Sequence, residues 1–375
     1  MRAAFLAIWA VILSVAFMQT AHGLQTDLIG VRAGLEAFPA WTIGLLMAGY
    51  YAGYSSAPFA GHFVVGRLGH VRTIMACVFV AGAIIVAHAF VVTPLAWAAF
   101  RFVSGFALAL VYVAFESWIN ARVGNALRGR VFSTYIITQM TTMTLAQYLL
   151  SLGDPKTAGP FIFSGVLFAL AAVPVFVGRC RAPAAAPPVP LNVLKLLRTS
   201  PLGALATALA GTSWAIIGTM GPVYAQRVGF DLKGIALWMG LAMAAGSISQ
   251  FPFGWLSDSF GRRKTIATIF VLGLAASFTG LWAVGQGASA NLAVAALVGL
   301  CVFPLYATSV AHVNDSIAQE ARVAAAAGLI LFYGLGSIFG ALLCGWAMTG
   351  MGPSGFYAAL AVTMAAGAAA TARWR

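Results

Sequence analysis

Charged residues are scarce in this sequence, and acidic residues are the scarcest of all. Only 8% of the 375 residues are charged, Asp and Glu together number 8, and 61% of the residues are hydrophobic. A soluble globular domain carries about 25% charged residues, so this composition excludes an ordinary water-soluble fold. We therefore expect a membrane protein, since long apolar helices match the hydrocarbon core of a bilayer.

Cysteine and enzyme motifs are also lacking. The 4 cysteines have no close spacing, which argues against a disulfide framework or a zinc site, and we expect no bound metal or other cofactor. No nucleophile, metal cluster or carboxylate pair occurs at a workable spacing, so an enzyme is not expected. The longest loop, 179–200, is too short to fold as the soluble output domain of a receptor, although a non-transport membrane receptor or sensor is kept as an alternative.

Long apolar runs separated by charge, Pro or Gly recur along the whole chain. A helix needs about 20 apolar residues to cross the bilayer core. The runs cover residues 5–27, 40–62, 73–92, 95–119, 131–152, 160–178, 202–225, 234–256, 265–284, 290–312, 323–348 and 355–372. The sequence thus predicts an all-α membrane protein with twelve transmembrane helices.

The placement of the basic residues decides how the net charge of +13 is interpreted. In a soluble protein it would suggest a nucleic-acid partner, but here the basic residues alternate with apolar runs. If the amino terminus is cytoplasmic, most of the Lys and Arg lie on the inner side, as the positive-inside rule requires. We therefore expect a multi-pass protein of the bacterial inner membrane with both termini in the cytoplasm, with lipid and a small solute as partners and no nucleic acid.

The two halves of the chain repeat one another. Residues 1–178 and 201–375 are expected to be six-helix halves, and the basic, Pro-rich segment 179–200 is expected to be a cytoplasmic linker. Matching residues are offset by 192 to 194 positions: Gly53, Pro58, Gly69 and Thr73 in the first half, Gly246, Pro252, Gly261 and Thr265 in the second. Internal duplication of this kind is common in transporters, whose substrate site lies between the repeats near mid-membrane.

The loop that begins at Gly254 carries a family signature. It reads Gly-Trp-Leu-Ser-Asp-Ser-Phe-Gly-Arg-Arg-Lys and resembles the loop signature of the major facilitator superfamily. The resemblance implies that the Gly residues permit close helix packing and that Asp258 and the basic residues latch a cytoplasmic gate. In the first half, Gly66 stands where the Asp is expected. The predicted gate residues are Arg67, Arg72, Glu116, Arg128, Arg130, Gly254, Asp258, Gly261, Arg262 and Arg263.

Within that superfamily the chain is similar to a YcaD-like branch. The segment from Trp238 to Arg262, and the setting of Glu116, carry this likeness. The branch is related to CcoA-like copper importers and to riboflavin importers, so a copper importer is an alternative function. Met239 and Met243 offer thioethers suited to Cu(I), but no His-x-x-x-Met follows, and two Met on an apolar helix face usually pack in a core.

Two charges are predicted to lie deep in the helices, where an ionisable group needs a partner or a wet cavity. Arg101 is expected either to pair with an anionic group of the solute or to bond to carbonyls inside its half. Glu116 is expected near a cytoplasmic helix end, as a latch to a gate arginine rather than a proton-coupling site. The other carboxylates, including Asp27, are expected at loops or helix ends.

Polar and aromatic side chains on particular helices predict the solute site. Gln19, His22 and Thr26 form a stripe along the first helix. The predicted substrate-binding residues are Gln19, His22, Gln25, Tyr50, Tyr54, Arg101, Gln139, Trp214, Tyr306 and Tyr333. Their aromatic rings suit a planar organic solute such as a flavin or a drug-like compound, although Tyr and Trp also form interfacial belts. We expect a monomeric secondary active or facilitative transporter that works by alternating access.

Overall fold

The structure, a computed structural model, describes residues 2–122, 125–178, 193–317 and 322–373. Within these ranges the regular secondary structure is helical throughout. The helices are α1 (Arg2–Leu35), α2 (Ala40–Leu68), α3 (His70–Phe90), α4 (Pro94–Arg122), α5 (Asn125–Leu149), α6 (Gly159–Val177), α7 (Val193–Thr199), α8 (Pro201–Arg227), α9 (Leu232–Phe260), α10 (Arg262–Ala283), α11 (Ala288–Val302), α12 (Pro304–Ser316), α13 (Arg322–Met351) and α14 (Ser354–Arg373).

The predicted membrane spans coincide with these helices, and the span 290–312 is divided between α11 and α12. In the described part of the chain, 9 helical segments are long and apolar enough to cross a membrane by length and composition. They lie on α3, α4, α6, α8, α9, α10, α11 with α12, α13 and α14. The all-α membrane class is confirmed. A count of twelve crossings stays a prediction, because α1, α2 and α5 are not among the 9.

The chain divides into two compact units. Unit 1 comprises Met1–Arg32 and Ala52–Pro188, and unit 2 comprises Ala33–Tyr51 and Val189–Arg375. The first part of α2 therefore belongs to unit 2. There the backbone N–H of Trp41 donates a hydrogen bond to Thr349 Oγ1 on α13 at 3.0 Å. The predicted halves 1–178 and 201–375 stay a prediction.

Glycines allow the helices of unit 1 to pack in pairs. Gly23 on α1 faces Ala146 on α5, and Gly53 on α2 lies directly against the backbone carbonyl of Phe102 on α4. Helix α3 packs against both α4 and α6. In a membrane, where lipid removes the hydrophobic drive between helices, small residues at the contacts let backbones approach and gain dispersion energy.

Unit 2 repeats this pairing. Helix α8 packs on α13, α9 on α11, and α10 on both α11 and α14. Gly211 on α8 lies against the carbonyl of Tyr333 on α13, and Gly299 on α11 lies against the carbonyl of Ala242 on α9. The internal sequence repeat is thus also a repeat of helix packing within each unit.

The loop that follows α2 and the loop that follows α9 share one backbone conformation. Gly69 has φ 76° and Gly261 has φ 92°, a region that favours glycine because it has no Cβ. One helical turn later, Thr73 Oγ1 donates to the carbonyl of Gly69 at 2.8 Å, and Thr265 Oγ1 donates to that of Gly261 at 3.2 Å. The predicted correspondence between these residues is confirmed.

Helix α7 occupies part of the predicted linker. Its Leu196 packs in a cluster with Val313 of α12 and with Ala325 and Leu329 of α13. The sequence did not predict this helix, because the Pro-rich composition before it indicates an irregular linker. Residues 179–192 of that linker lie outside the described residues.

Candidate functional site

An aromatic cluster lies in unit 2 where α8, α12 and α13 meet. We define it as Trp214, Phe303, Tyr306 and Tyr333, which line a small cavity of about 30 Å³. The Trp214 and Phe303 ring centroids are 5.3 Å apart, and those of Tyr306 and Tyr333 are 5.0 Å apart in an edge-on arrangement. Three of these residues were predicted to bind solute, and the structure brings all three together; Phe303 was not predicted.

The aromatic cluster sits at a helix break. Helix α11 ends at Val302, and α12 begins at Pro304, which has no backbone N–H to continue the hydrogen-bond ladder. The Gln250 side chain on α9 donates a long hydrogen bond of 3.4 Å from Nε2 to the carbonyl of Phe303. Broken helices in transporters commonly mark substrate sites, because the break exposes backbone polar groups at membrane depth.

A polar cluster lies inside unit 1. It joins α1, α2 and α4 through Gln19, Tyr54 and Tyr112. The Tyr112 hydroxyl donates to Gln19 Oε1 at 2.5 Å, and the Tyr54 and Tyr112 ring centroids are 6.2 Å apart. Gln19 and Tyr54 were predicted to bind solute. Tyr112 was not among the predicted solute-binding residues, and it links the two because its hydroxyl bonds Gln19 and its ring contacts Tyr54.

Glu116 belongs to the same polar cluster. It lies one helical turn beyond Tyr112 on α4 and interacts electrostatically with Tyr135 of α5, which in turn interacts with Tyr54 and Gln139. The polar cluster is therefore defined as Gln19, Tyr54, Tyr112, Glu116, Tyr135 and Gln139.

The predicted gate arginines of unit 1 with described side chains, Arg67, Arg72 and Arg130, lie outside the polar cluster as defined. Among the described side chains, no ion pair joins Glu116 to Arg67 or Arg72. Arg67 instead lies over the Phe63 ring at 4.0 Å. Arg72 and Arg130 are exposed. The side chain of Arg128 lies outside the described part of the chain, and the latch predicted for these residues stays a prediction.

The second half of α1 lies near a buried arginine. Arg101 on α4 has no exposed surface and interacts electrostatically with His22 of α1 and His88 of α3. Three residues further along α4, the Ser104 hydroxyl accepts a hydrogen bond of 3.1 Å from Gln25 Nε2. The predicted residues His22, Gln25 and Arg101 thus lie together, in the interior of unit 1.

Asp27 departs from its predicted placement. The prediction put it at a loop or helix end, but α1 continues to Leu35, so Asp27 lies within the helix with 1% of its surface exposed. Its Oδ2 has no hydrogen-bond partner among the described residues. The polar run Gln25-Thr26-Asp27 resembles a helix end in sequence, but here it continues the helix.

Tyr50 is buried and packs edge-on against Tyr51, with ring centroids 5.3 Å apart. A role for Tyr50 in solute binding stays a prediction.

The signature loop of unit 2 forms a charged network. Arg262 pairs with Asp258 one turn earlier and with Asp315 of α12, and its Nη1 also donates to Ser257 Oγ at 3.0 Å. Beside the network lies a cavity of about 110 Å³. It is lined by Gln250, Gly254, Ser257, Asp258, Arg262, Pro304, Ala307, Thr308 and Ala311.

Two further residues of the signature lie outside this network. Arg263 donates from Nη2 to the carbonyl of Thr371 on α14 at 2.8 Å, which ties the start of α10 to the end of the chain. Gly254 is exposed, and nothing lies within 4 Å of where its Cβ would be.

The two candidate copper ligands are packed in the core. Met239 and Met243 expose 0% and 5% of their surfaces, and the Met239 sulfur covers Gly221 together with the Trp238 ring. In the described ranges, no group of three or more His, Cys, Asp or Glu side chains is placed to hold a metal ion.

Comparisons with known proteins agree on one family. A family model of the Major Facilitator Superfamily matches residues 3–249 and 203–375. A protein of Escherichia fergusonii named "uncharacterized MFS-type transporter YcaD" is 24% identical over 312 residues, which are 81% of this chain and 79% of the relative. A similar relative from Enterobacter sp., "uncharacterized MFS-type transporter Ent638_1421", is also 24% identical, over 81% of this chain and 79% of its own.

Solved structures share the fold at low identity. The nucleoside transporter NupG superposes with a TM-score of 0.79 at 14% identity and covers 98% of this chain and 99% of its own. A bacterial homolog of the human lysosomal transporter Spinster, in an inward-facing and unoccupied conformation, gives a TM-score of 0.74 at 14% identity over 96% of this chain and 93% of its own.

Proposed function

Because this chain belongs to the major facilitator superfamily of membrane transporters, we propose that it carries a small organic solute that joins a flat heteroaromatic ring to a hydroxylated group. Nucleosides have this chemistry, and so does riboflavin. Transport proceeds by alternating access of two six-helix halves, 1–178 and 201–375. The protein works as a monomer in the bacterial inner membrane with both termini in the cytoplasm.

The observation that carries this proposal is the aromatic cluster of unit 2. Four rings from α8, α12, α13 and the α11–α12 break surround one cavity. Aromatic rings favour offset-stacked or edge-on partners and gain about 0.5–1.5 kcal/mol per pair beyond the burial of their area. The phenol hydroxyls of Tyr306 and Tyr333 add polar tips, so the cluster suits a ring that also carries hydrogen-bonding atoms better than it suits a saturated sugar.

The polar cluster of unit 1 carries groups that can bind the hydroxyls of a solute. Gln19 and Gln139 carry amides, which both donate and accept hydrogen bonds, and Tyr54 and Tyr112 carry hydroxyls. Sugar or ribityl hydroxyls are matched partners for such groups. The fold likeness to a nucleoside transporter agrees with this class of solute.

Uptake into proteoliposomes by the purified protein tests the proposal. Radiolabelled uridine, adenosine and riboflavin are compared with glucose, which has hydroxyls but no aromatic ring. We expect saturable uptake of at least one ring solute, and a rise of about fivefold in its KM in Trp214→Leu, because removing one aromatic partner loses roughly 1 kcal/mol of binding. Saturable uptake of glucose alone, or ring-solute uptake that is unchanged in Trp214→Leu, would contradict it.

A further inference from the structure

Gly246 of α9 makes room for one ring of the aromatic cluster. A Cβ added at Gly246 would overlap the Phe303 ring at Cγ, Cδ2 and Cε2. The ring therefore occupies the space that any other residue at position 246 would fill. Close packing of this kind is sensitive to a single methyl group, because protein interiors have few voids.

Phe303 keeps helical backbone angles, with φ −64° and ψ −29°, but lies at the break between two helices. It is the single residue between α11 and α12, and its N–H reaches the carbonyl of Gly299 only at 3.4 Å. Pro304 supplies no N–H to the preceding turn. The ring is thus attached at a break in the helical hydrogen-bond ladder, while the rings of Trp214 and Tyr333 are attached within the continuous helices α8 and α13.

The cavity bounded by these rings is too small for the proposed solute. Its volume of about 30 Å³ holds about two water molecules, because the centre of each needs roughly 10–15 Å³ of free space. A pyrimidine, purine or flavin ring can enter only if one aromatic side chain moves. Phe303 is the ring whose position depends on a glycine, because it fills the space that Gly246 leaves and also contacts the Trp214 ring.

We propose that Phe303, seated against Gly246, is the specificity-determining residue of the solute pocket: the position of its ring sets the size of the flat ring that the cluster accepts. The inference rests on the proposed function and specifies which part of that site selects the solute. Tyr306 and Tyr333 also line the cavity, and their hydroxyls add the polar groups.

Two substitutions should shift ring selectivity in opposite directions. Gly246→Ala pushes the Phe303 ring into the cavity, so KM should rise about tenfold more for riboflavin than for uridine, since one methyl group in a packed pocket changes discrimination at least tenfold. Phe303→Leu enlarges the pocket and should lower the riboflavin KM relative to the uridine KM. In the double variant the smaller Leu side chain relieves the overlap, so Gly246→Ala should have little further effect.

Gly350→Ala is the matched control, because Gly350 lies in helix α13 and nothing lies within 4 Å of where its Cβ would be. Melting temperature in detergent is measured for every variant, so that a loss of folded protein is separated from a change in KM ratio. The inference is overturned if Gly246→Ala changes the riboflavin-to-uridine KM ratio no more than Gly350→Ala does, or if the effects of the two substitutions simply add.

Wild-type results separate this inference from the function on which it rests. A wild-type protein that takes up ring solutes, with variants that keep its KM ratio, refutes only the role of Phe303. A wild-type protein that takes up no ring solute refutes the proposed function and this inference together.

Discussion

Arg262 and Asp315 are joined by an ion pair, with 3.1 Å between Nε of Arg262 and Oδ2 of Asp315. The same guanidinium also pairs with Asp258. One side chain at the start of α10 therefore holds the end of α9 and the end of α12. The signature loop predicted the first partner, whereas the second comes from a helix 53 residues away.

The first prediction concerns Asp315. Asp315→Asn should slow transport several-fold and leave the melting temperature nearly unchanged, because exposed ion pairs contribute only about 0–1 kcal/mol to stability. Initial uptake rate and melting temperature are both measured. Asp154→Asn, an exposed loop substitution, is the control, and equal transport by the two variants would reject a conformational role for Asp315.

The second prediction concerns the coupling between Asp258 and Asp315. Both carboxylates pair with Arg262, so the uptake defects of Asp258→Asn and Asp315→Asn should not add in the double variant. A double-mutant cycle on initial uptake rate measures this. If Asp258→Asn alone transports as well as the wild type, the latch implied by the family signature is absent from this protein.

The third prediction separates a latch from a proton site at Glu116. The carboxyl of Glu116 interacts with Tyr135 inside the polar cluster, where a group that gains and loses a proton can couple solute movement to a pH gradient. Glu116→Gln, which cannot ionise, should abolish pH-driven accumulation in proteoliposomes and preserve solute exchange at equal pH. Glu36→Gln, in the loop between α1 and α2, should retain both activities. Loss of exchange together with accumulation would favour the latch.

The fourth prediction concerns helix packing. Gly53→Ala should place a methyl group on the carbonyl of Phe102 and force α2 away from α4. Overpacking of this kind destabilises by about 1–3 kcal/mol, so the melting temperature in detergent should fall by several degrees. Gly66→Ala, also in α2, is the control because its Cβ meets nothing within 4 Å. Equal melting temperatures for the two variants would mean that α2 and α4 are not packed through Gly53.

The sequence predicted the all-α membrane class well, because long apolar runs indicate membrane spans directly. The matching pairs Gly69–Thr73 and Gly261–Thr265 also indicated the two similar loops. The aromatic cluster was predicted in part, and its role in solute binding stays a prediction. Trp214, Tyr306 and Tyr333 were named because rings with polar tips stand out in apolar helices, whereas Phe303 does not differ in sequence from the many other Phe side chains.

Contacts between helices that are distant in sequence could not be predicted either. Nothing in the local pattern of Asp315 indicates that it meets Arg262, and nothing near Glu116 indicates Tyr135. Asp27 was misplaced for a different reason: polar residues usually end an apolar span, but a helix buried inside a protein can continue through them.

The turns at Gly69 and Gly261 also allow the two loops to be compared in shape and in charge. The two loops have the same positive-φ turn, although only the second has a carboxylate three residues before it, at Asp258. The shape of the turn therefore does not depend on that carboxylate. A single substitution, Gly66→Asp, would give the first loop the same charge, at a position where an added Cβ meets no neighbour.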